Sequence, residues 1–290
     1  MSANTTTRTT VEVSCIALAP GDPAVLLAAG DIGVCGATAP FQTAGIVARY
    51  PSATVAAVGD LAYPDGREHD FRDCYHPSWG KHKARTRPAL GNHEYNNTGS
   101  AQAYFKYFGP VAGDPSKGYY SYTLGEWFVV VLNVNSFRLS RVSVKSGSEQ
   151  ERWLRQELSS NSSRCTLAYF HYPRFSSGHH GSRNFVQDIW DTLYDYDVDV
   201  VVVAHEHSYE RFAKMDKSGA ADPVRGIRQF VVGTGGVKLR SFNTPLPTSE
   251  VRNSDTHGVL KLTLEADAYQ WEFLPVEGKT FTDTGRTTCH

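Results

Sequence analysis

The chain has 290 residues, of which 40% are hydrophobic and 20% are charged. This composition is ordinary for a soluble globular protein that can bury a large core. The formal net charge of -1 excludes an overall basic field, so we predict no stable nucleic-acid partner and no attachment to an anionic membrane. No stretch approaches the roughly 20 apolar residues that span a bilayer.

The N-terminal segment is predicted to be a tail. Residues 1–20 are rich in threonine and lead into the turn sequence Pro20-Gly21-Asp22-Pro23. Residues 21–290 are predicted to form a single domain. The tail contains no apolar segment of the kind that a secretory leader needs. A cytoplasmic location is one hypothesis, and the one we favour is an extracellular or periplasmic protein whose leader is absent from this chain.

Short apolar runs alternate with helical patterns along the first two thirds of the chain. Five such runs predict strands, at Val25–Ala29, Thr54–Val58, Pro88–Leu90, Thr166–Phe170 and Val198–Val203. Thr38 followed by Pro40 predicts the start of a helix that extends towards Tyr50. Ser148 and Glu151 match a capping box that opens a second helix. Apolar residues at every fourth position of 185–193 predict a third.

The remaining patterns are typical of antiparallel strands. Residues 119–135 carry two β-prone runs around a Gly-Glu turn and predict a hairpin, and three more strands are predicted at Gln229–Val232, Gly258–Leu264 and Tyr269–Leu274. Helices that lie between strands indicate an α/β fold. We therefore predict a four-layer α/β/β/α sandwich, with two mixed β-sheets flanked by helices.

A polar signature follows each of the five strands predicted first. The signatures read Asp31-Ile-Gly33, Gly59-Asp60-Leu-Ala-Tyr63, Gly91-Asn92-His93-Glu94, an isolated His171, and Ala204-His205-Glu-His207. Ligand sites of open α/β sheets lie at the carboxyl ends of strands. Seven oxygen and nitrogen ligands exceed the four of a closed zinc site and favour a pair of ions. These candidate ligands are Asp31, Asp60, Tyr63, Asn92, His171, His205 and His207.

Each signature also has a structural interpretation when it is taken alone. Asp31 or Asp60 could cap a turn, Tyr63 could be a packed aromatic ring, and His171 could be a hydrogen-bonded core histidine. The joint order of the five signatures favours the metal site. Tyr63 adds to that argument: free phenol has a pKa near 10, so a phenolate ligand needs a strongly polarising cation such as iron(III).

The ordered set of signatures resembles the calcineurin-like metallophosphoesterases. The tyrosine of the second signature resembles the purple acid phosphatase branch of that family. The resemblance runs from about Val25 to Thr284 and includes Gly233-Thr-Gly-Gly236. Because about 20 residues precede the first strand, we expect a short form without the N-terminal β-sandwich domain of plant members.

The resemblance implies a binuclear, metal-dependent phosphoric ester hydrolase that acts on small-molecule phosphate esters. Asp31, Tyr63 and His207 would hold iron(III), Asn92, His171 and His205 would hold a divalent iron, zinc or manganese ion, and Asp60 would bridge the two. Hydroxide held by the metals would attack phosphorus. A phosphomonoesterase is the favoured activity. A phosphodiesterase, including one for cyclic nucleotides, and a catalytically idle binding module are the alternatives.

The resemblance also implies residues that contact the substrate. Asn92 and His93 would contact the phosphate, and His93 would be a catalytic residue that protonates the leaving group. Plant-type members carry a His-His pair after the isolated histidine. His179-His180 stand in that place, one residue closer than expected, and are predicted to contact substrate, with His180 as the second candidate proton donor.

The five cysteines form no Cys-x-x-Cys pair, which disfavours a zinc ribbon or a thioredoxin-like motif. They stand at positions 15, 35, 74, 165 and 289 and allow one or two disulfides in an oxidising compartment. Cys35 and Cys74 follow the first two signatures. A disulfide that braces the loops of the metal site and two unrelated buried thiols are both open interpretations.

Overall fold

The computed structural model describes residues 22–97, 99–135, 140 and 142–290. The tail predicted at 1–20, with Cys15, lies outside these residues. Within them, no helix has the length and apolar character that a membrane crossing requires.

The strands of the described ranges form two mixed sheets. In chain order they are β1 Ala24–Ala29, β2 Thr54–Val58, β3 Thr86–Ala89, β4 Tyr120–Leu124, β5 Trp127–Val131, β6 Thr166–Tyr169, β7 Val200–Val203, β8 Tyr209–Met215, β9 Ile227–Val232, β10 Ser249–Asn253, β11 Gly258–Leu264, β12 Ala268–Pro275 and β13 Thr284–Thr288. One sheet has the order β13-β12-β11-β1-β2-β3, and the other has the order β10-β8-β9-β7-β6-β5-β4. The two-sheet prediction is therefore confirmed.

Each sheet has a parallel centre, and the five signatures follow strands of these two centres. β1, β2 and β3 run parallel in the six-stranded sheet, and β5, β6, β7 and β9 run parallel in the seven-stranded sheet. The neighbouring strands pair antiparallel, including the predicted hairpin of β4 and β5. Parallel strands place their carboxyl ends at the same edge of a sheet. Three signatures therefore lie at one edge of the six-stranded sheet, and two lie at one edge of the seven-stranded sheet.

Five α-helices are described: α1 Ala39–Ala48, α2 Glu68–Asp70, α3 Gln102–Phe108, α4 Glu149–Ser160 and α5 Gln187–Asp195. A π-helical turn follows at Phe71–Tyr75, and 3-10 turns lie at Trp79–Arg85, His93–Tyr95, Gly109–Ala112 and Asn184–Val186. The predicted helices correspond to α1, α4 and α5. Thr38 precedes α1 but its side chain makes no capping bond. At α4, the Ser148 hydroxyl accepts a bond from the Glu151 N–H, while the Glu151 carboxylate accepts one from Gly147.

The seven-stranded sheet is buried on both faces, as β7 illustrates. Val200 and Val202 join the apolar core that the two sheets share, whereas Val201 and Val203 join a second core against α4 and α5. Successive side chains of a strand point to opposite faces. A continuous valine run therefore belongs in a central strand, and the four-layer arrangement is confirmed.

Two disulfides join distant parts of the chain. Cys35 pairs with Cys74, and Cys165 pairs with Cys289. The first bridge connects the loop after β1 to the π-helical turn that follows the second signature. Of the two interpretations left open for Cys35 and Cys74, the structure has the disulfide.

Candidate metal centre

The loops that follow five parallel strands bring their polar residues to one place. Asp31 follows β1, Asp60 follows β2, and Asn92 begins the turn after β3. From the facing sheet, His171 follows β6 and His205 and His207 follow β7. Asp60, His171 and His205 offer ligand atoms that lie within 4.8 Å of one another.

Two carboxylates organise this cluster. The Tyr63 hydroxyl donates to Asp31 Oδ1 at 2.8 Å and approaches Asp60 Oδ2 at 3.2 Å. His207 Nε2 lies 3.3 Å from Asp31 Oδ1, and His171 Nε2 lies 3.1 Å from Asp60 Oδ2. Tyr63 thus connects a group around Asp31 to a group around Asp60.

The backbone at three of these residues adopts a conformation that L-residues rarely take. The φ angles are 57° at Asp31, 52° at Asp60 and 67° at His205, in the left-handed region. Such conformations cost of order 1–3 kcal/mol each and cluster at functional sites. The same turns aim the side chains inward, and they are held because the backbone N–H of His205 donates to Asp31 Oδ2 at 2.9 Å.

Glycine at two positions allows the loops to approach one another. A Cβ at Gly91 would lie 2.2 Å from Asp60 Oδ1, and a Cβ at Gly59 would lie 2.7 Å from the His171 ring. Any side chain there would displace a candidate ligand. These glycines of the second and third signatures are therefore explained by close packing of the site.

The histidine nitrogens are arranged for ligation. His171 Nδ1 lies 3.0 Å from the Val58 carbonyl oxygen, and His207 Nδ1 lies 3.0 Å from the Lys238 carbonyl oxygen. A carbonyl can only accept, so Nδ1 carries the proton of each neutral ring and Nε2 presents its lone pair to the site. His171 Nε2 is buried and faces Asp60 Oδ2, whereas Asn92 Oδ1 is buried and has no hydrogen-bond partner within the described ranges. A buried polar atom without a partner is costly, and a cation bound here would satisfy Asn92 Oδ1.

Charge couples the carboxylates to the histidines. Burial opposes ionisation of Asp60, but the charge and hydrogen bond of His171 outweigh it and lower the pKa of Asp60 to about 2. Burial likewise opposes the charged form of His171, and Asp60 outweighs it, so the pKa of His171 rises to about 9. Asp31 and His207 form a similar pair: the pKa of Asp31 is lowered and that of His207 is raised, in each case against the effect of burial. Each carboxylate and its imidazole partner thus favour one another's charged form.

Tyr63 is held in its neutral form by the same carboxylates. Burial, followed by the charges of Asp31 and Asp60, raises the pKa of the Tyr63 phenol well above its usual value. A strongly polarising cation held by Tyr63 and these carboxylates would oppose that shift.

Glu94 fixes the loops of the second and third signatures, a role that the sequence patterns did not reveal. Its buried carboxylate accepts N–H bonds from Asp60 at 2.9 Å, Leu61 at 2.7 Å and Gly91 at 2.7 Å. Burial and the charge of Asp60 raise the pKa of Glu94 to about 7, against the pull of the bonds from Gly91 and Leu61. Its position as the last residue of the third signature was the available signal.

His93 lies beside the bridging carboxylate predicted at Asp60. Its backbone N–H donates to Asp60 Oδ1 at 2.8 Å, and its Nε2 lies 3.7 Å from Asp60 Oδ2. The ring packs against Tyr63 with centroids 4.1 Å apart, and Nδ1 makes a close contact to the Pro64 carbonyl oxygen. Of the two ring nitrogens of His93, Nε2 is therefore the one that faces the carboxylate cluster.

The His179-His180 pair reaches the site through His180 rather than through both rings. Both residues are exposed, but the His180 ring lies 4.9 Å from that of His205, centroid to centroid, whereas the His179 ring packs against His180 at 5.2 Å. Glu206 is buried and accepts the His180 backbone N–H at 2.9 Å, which anchors this loop. Glu206 is a second positioning residue that the sequence patterns missed, although it stands between two candidate ligands.

Two arginines complete this side of the site. Arg183 Nη2 lies 3.0 Å from His205 Nε2, and Arg240 Nη1 lies 2.7 Å from His180 Nε2. Neither arginine belongs to a sequence signature. Arg183 follows the His179-His180 pair in the same loop, but only the fold brings it to His205, and Arg240 comes from a distant loop, so the sequence patterns indicated neither contact.

Comparison with known proteins identifies relatives of this chain. A model of the calcineurin-like phosphoesterase family matches residues 16–209. Purple acid phosphatase 18 of Arabidopsis thaliana is 26% identical over 264 residues, which cover 83% of this chain and 57% of that protein. Purple acid phosphatase 21 of the same plant is 30% identical over 232 residues, which cover 70% of this chain and 49% of that protein. The chain thus spans about half the length of these relatives.

A solved structure has the same fold. A purple acid phosphatase isolated from yellow lupin (Lupinus luteus) seeds matches 93% of this chain and 55% of its own chain, with a TM-score of 0.78 at 20% sequence identity. At that identity the likeness establishes the shared fold alone.

Proposed function

The chain belongs to the calcineurin-like phosphoesterase family, and on that premise we propose that it is a phosphomonoesterase of the purple acid phosphatase type with a binuclear metal centre. The observation that carries the proposal is the convergence of ligand groups on Asp60. Its Oδ2 lies 3.2 Å from the Tyr63 hydroxyl and 3.1 Å from His171 Nε2. An oxygen shared in this way by members of two ligand groups can bridge two cations.

The ligands divide into two groups around this bridge. Asp31, Tyr63 and His207 form the first group, which their mutual contacts support. Asn92, His171 and His205 form the second group. Two observations support it: both histidines lie close to Asp60, and Asn92 Oδ1 has no hydrogen-bond partner among the described residues. We assign iron(III) to the first group because a phenolate ligand calls for a trivalent cation, and a divalent iron, zinc or manganese ion to the second.

The protein's own residues bind and orient the phosphate and move a proton. When bound, the cations supply Lewis-acid polarisation and an activated water. Asn92 and His93 lie beside the bridge and contact the phosphate. We assign protonation of the leaving alkoxide to His93, whose Nε2 lies near Asp60. We assign His180 to substrate contact, because its Nε2 lone pair accepts from Arg240, and His179 to the outer rim of the same loop.

The proposed substrates are small-molecule phosphate esters, and the proposed location is extracellular or periplasmic. The near-neutral formal charge of -1 gives no general attraction to polyanions. The Cys35–Cys74 and Cys165–Cys289 disulfides support the location, since such bonds persist mainly in oxidising compartments.

The proposal is tested with paired substrates and one ligand variant. Metal-loaded protein should hydrolyse p-nitrophenyl phosphate faster than bis(p-nitrophenyl) phosphate and should hold two metal ions per chain by elemental analysis. Asp60→Asn should lose metal and more than about a hundredfold in kcat/KM, since it removes the shared carboxylate. Asp73→Asn is the matched control: Asp73 pairs with Arg72 at the surface and should change neither quantity.

Three other results of these assays would lead to different conclusions about the protein. Faster cleavage of the diester would make the protein a phosphodiesterase. Two bound metals without turnover of either ester would make it a binding module. Full activity and metal content in Asp60→Asn would refute the site assignment itself.

A further inference from the structure

Two guanidinium groups border the proposed metal centre on the side of the last signature. Arg183 donates to His205 Nε2 and lies 5.8 Å over the Tyr172 ring. Arg240 donates to His180 Nε2, and its backbone N–H bonds to the His207 carbonyl oxygen at 2.9 Å. The His180 and His205 rings pack against each other between the two arginines. The Arg183 guanidinium therefore lies beside a candidate metal ligand, and the Arg240 guanidinium lies beside a candidate substrate-contacting residue.

These two arginines lack the carboxylate partner that several other arginines of this protein have. Arg211 pairs with Asp283 at 2.7 Å and Arg225 with Asp197 at 2.6 Å. For Arg183 and Arg240, the contacts among the described residues are to imidazole nitrogens, and no carboxylate lies within ion-pair distance. Arg183 Nε is moreover buried without any hydrogen-bond partner there.

Unused donors at this position point to an anionic ligand. A guanidinium has five N–H donors, and one imidazole nitrogen can accept only one of them. Nearby Glu206 accepts the His180 N–H, and within the described ranges no ion pair joins its carboxylate to either arginine. Phosphate matches the paired donors of arginine in a bidentate manner.

Resting on the proposed function, we propose that Arg183 and Arg240 form a second phosphate-binding subsite, so that the preferred substrates carry two phosphate groups. The metal centre would hold the phosphate that is cleaved, and the arginines would hold the other. A monoester with a neutral leaving group would leave both guanidinium groups without an anion. The shared chemistry is a second phosphate, whether it is linked as an ester or as an anhydride.

The test compares substrates that differ by one phosphate. Fructose 1,6-bisphosphate against fructose 6-phosphate tests the ester linkage, and ADP against AMP tests the anhydride linkage. In the metal-loaded wild type, kcat/KM should be at least roughly tenfold higher for the member with two phosphates of one or both pairs, since each charged hydrogen bond of an arginine is worth about that factor. The pair that shows the preference identifies the linkage.

The variants are Arg183→Gln, Arg240→Gln and the double variant. Each should reduce the preference, chiefly through KM of the two-phosphate substrate, and the double variant should bring the ratio close to one. The ratio within one variant cancels any general loss of activity. Arg174→Gln is the charge-matched control on the same loop, because Arg174 is engaged by Gln187, and it should keep the wild-type ratio.

A binding measurement provides a readout that does not need turnover. Isothermal titration of metal-depleted protein should show tighter binding of fructose 1,6-bisphosphate than of fructose 6-phosphate, and the double variant should lose that difference. A ratio near one in the wild type, or an unchanged ratio in a folded double variant, would overturn the subsite. Absence of any hydrolysis by the metal-loaded wild type would instead count against the proposed function, while the titration would still decide the role of the arginines.

Discussion

Replacing Glu94 should loosen the metal site and destabilise the fold in graded steps. Glu94 Oε2 accepts the N–H groups of Asp60 and Gly91, and Oε1 accepts that of Leu61. Glu94→Ala leaves all three N–H groups without this acceptor. Glu94→Gln keeps one oxygen for Asp60 and Gly91 but turns an amide NH2 towards Leu61, so that two donors face each other. The alanine variant should therefore be affected more than the glutamine variant.

The size of each effect follows from the number of buried donors. An unsatisfied buried donor costs roughly 1–3 kcal/mol. Glu94→Gln should thus lower the free energy of unfolding by about 1–2 kcal/mol, and Glu94→Ala by about 3 kcal/mol or more. These losses of unfolding free energy lie at the low end of the sum over the three donors. Glu94 is only 2% exposed, so the native carboxylate already carries a desolvation cost, and replacing it relieves that cost.

Urea unfolding of the metal-depleted protein measures these free energies without a contribution from bound metal. The slope against urea should be unchanged if the denatured states are alike. Metal affinity, measured by competition with a chelator, should fall in the same order because Asp60 loses its backbone support. Glu68→Gln is the control, since Glu68 is 64% exposed and pairs with Lys106 at the surface. An alanine variant within about 0.5 kcal/mol of wild type, with equal metal affinity, would refute this account of Glu94.

Two further predictions concern the protons and the colour of the centre. Because Asp60 raises the pKa of His171 to about 9, this ring is protonated at pH 7 and must lose its proton before it can bind a metal ion. Apparent metal affinity should therefore rise roughly tenfold per pH unit for each proton released. Binding heats that are identical in buffers of different ionisation enthalpy would contradict this prediction. Iron-loaded wild type should show a visible phenolate-to-iron(III) absorption band, and Tyr63→Phe should remove it. The phenylalanine ring keeps the contact with His93, so the local packing is preserved. An unchanged band in that variant would exclude Tyr63 as the ligand.

The central strands and the signatures could be predicted from sequence because their information is local. Each ligand-bearing loop follows an apolar run within one or two residues, as at β2 and Asp60. The valine run of β7 could be recognised as a buried strand from composition alone. Boundaries moved by one or two residues, since β3 begins at Thr86 and ends at Ala89.

The strands that were not predicted are those that depend on distant partners. β13 has the sequence Thr-Gly-Arg-Thr-Thr and gains its place by pairing with β12, beside the Cys165–Cys289 bridge. β10 is polar and lies at the edge of the larger sheet. β8 interrupts its apolar residues with charges, and its register with β9 shifts between Arg211 and Lys214. None of these segments has the two-residue apolar alternation that identifies a half-buried strand.

The site combines two kinds of unfavourable local structure, and together they indicate what it is built to bind. Asp31, Asp60 and His205 hold left-handed backbone conformations, and Asn92 Oδ1 is buried without a hydrogen-bond partner in the described part of the chain. Strain and unsatisfied acceptors both cost stability when nothing is bound. A bound cation would satisfy Asn92 Oδ1 and would neutralise the buried carboxylates, while the backbone strain remains as the cost of placing those side chains. An anionic ligand would do neither, so the side chains placed at this edge favour metal binding.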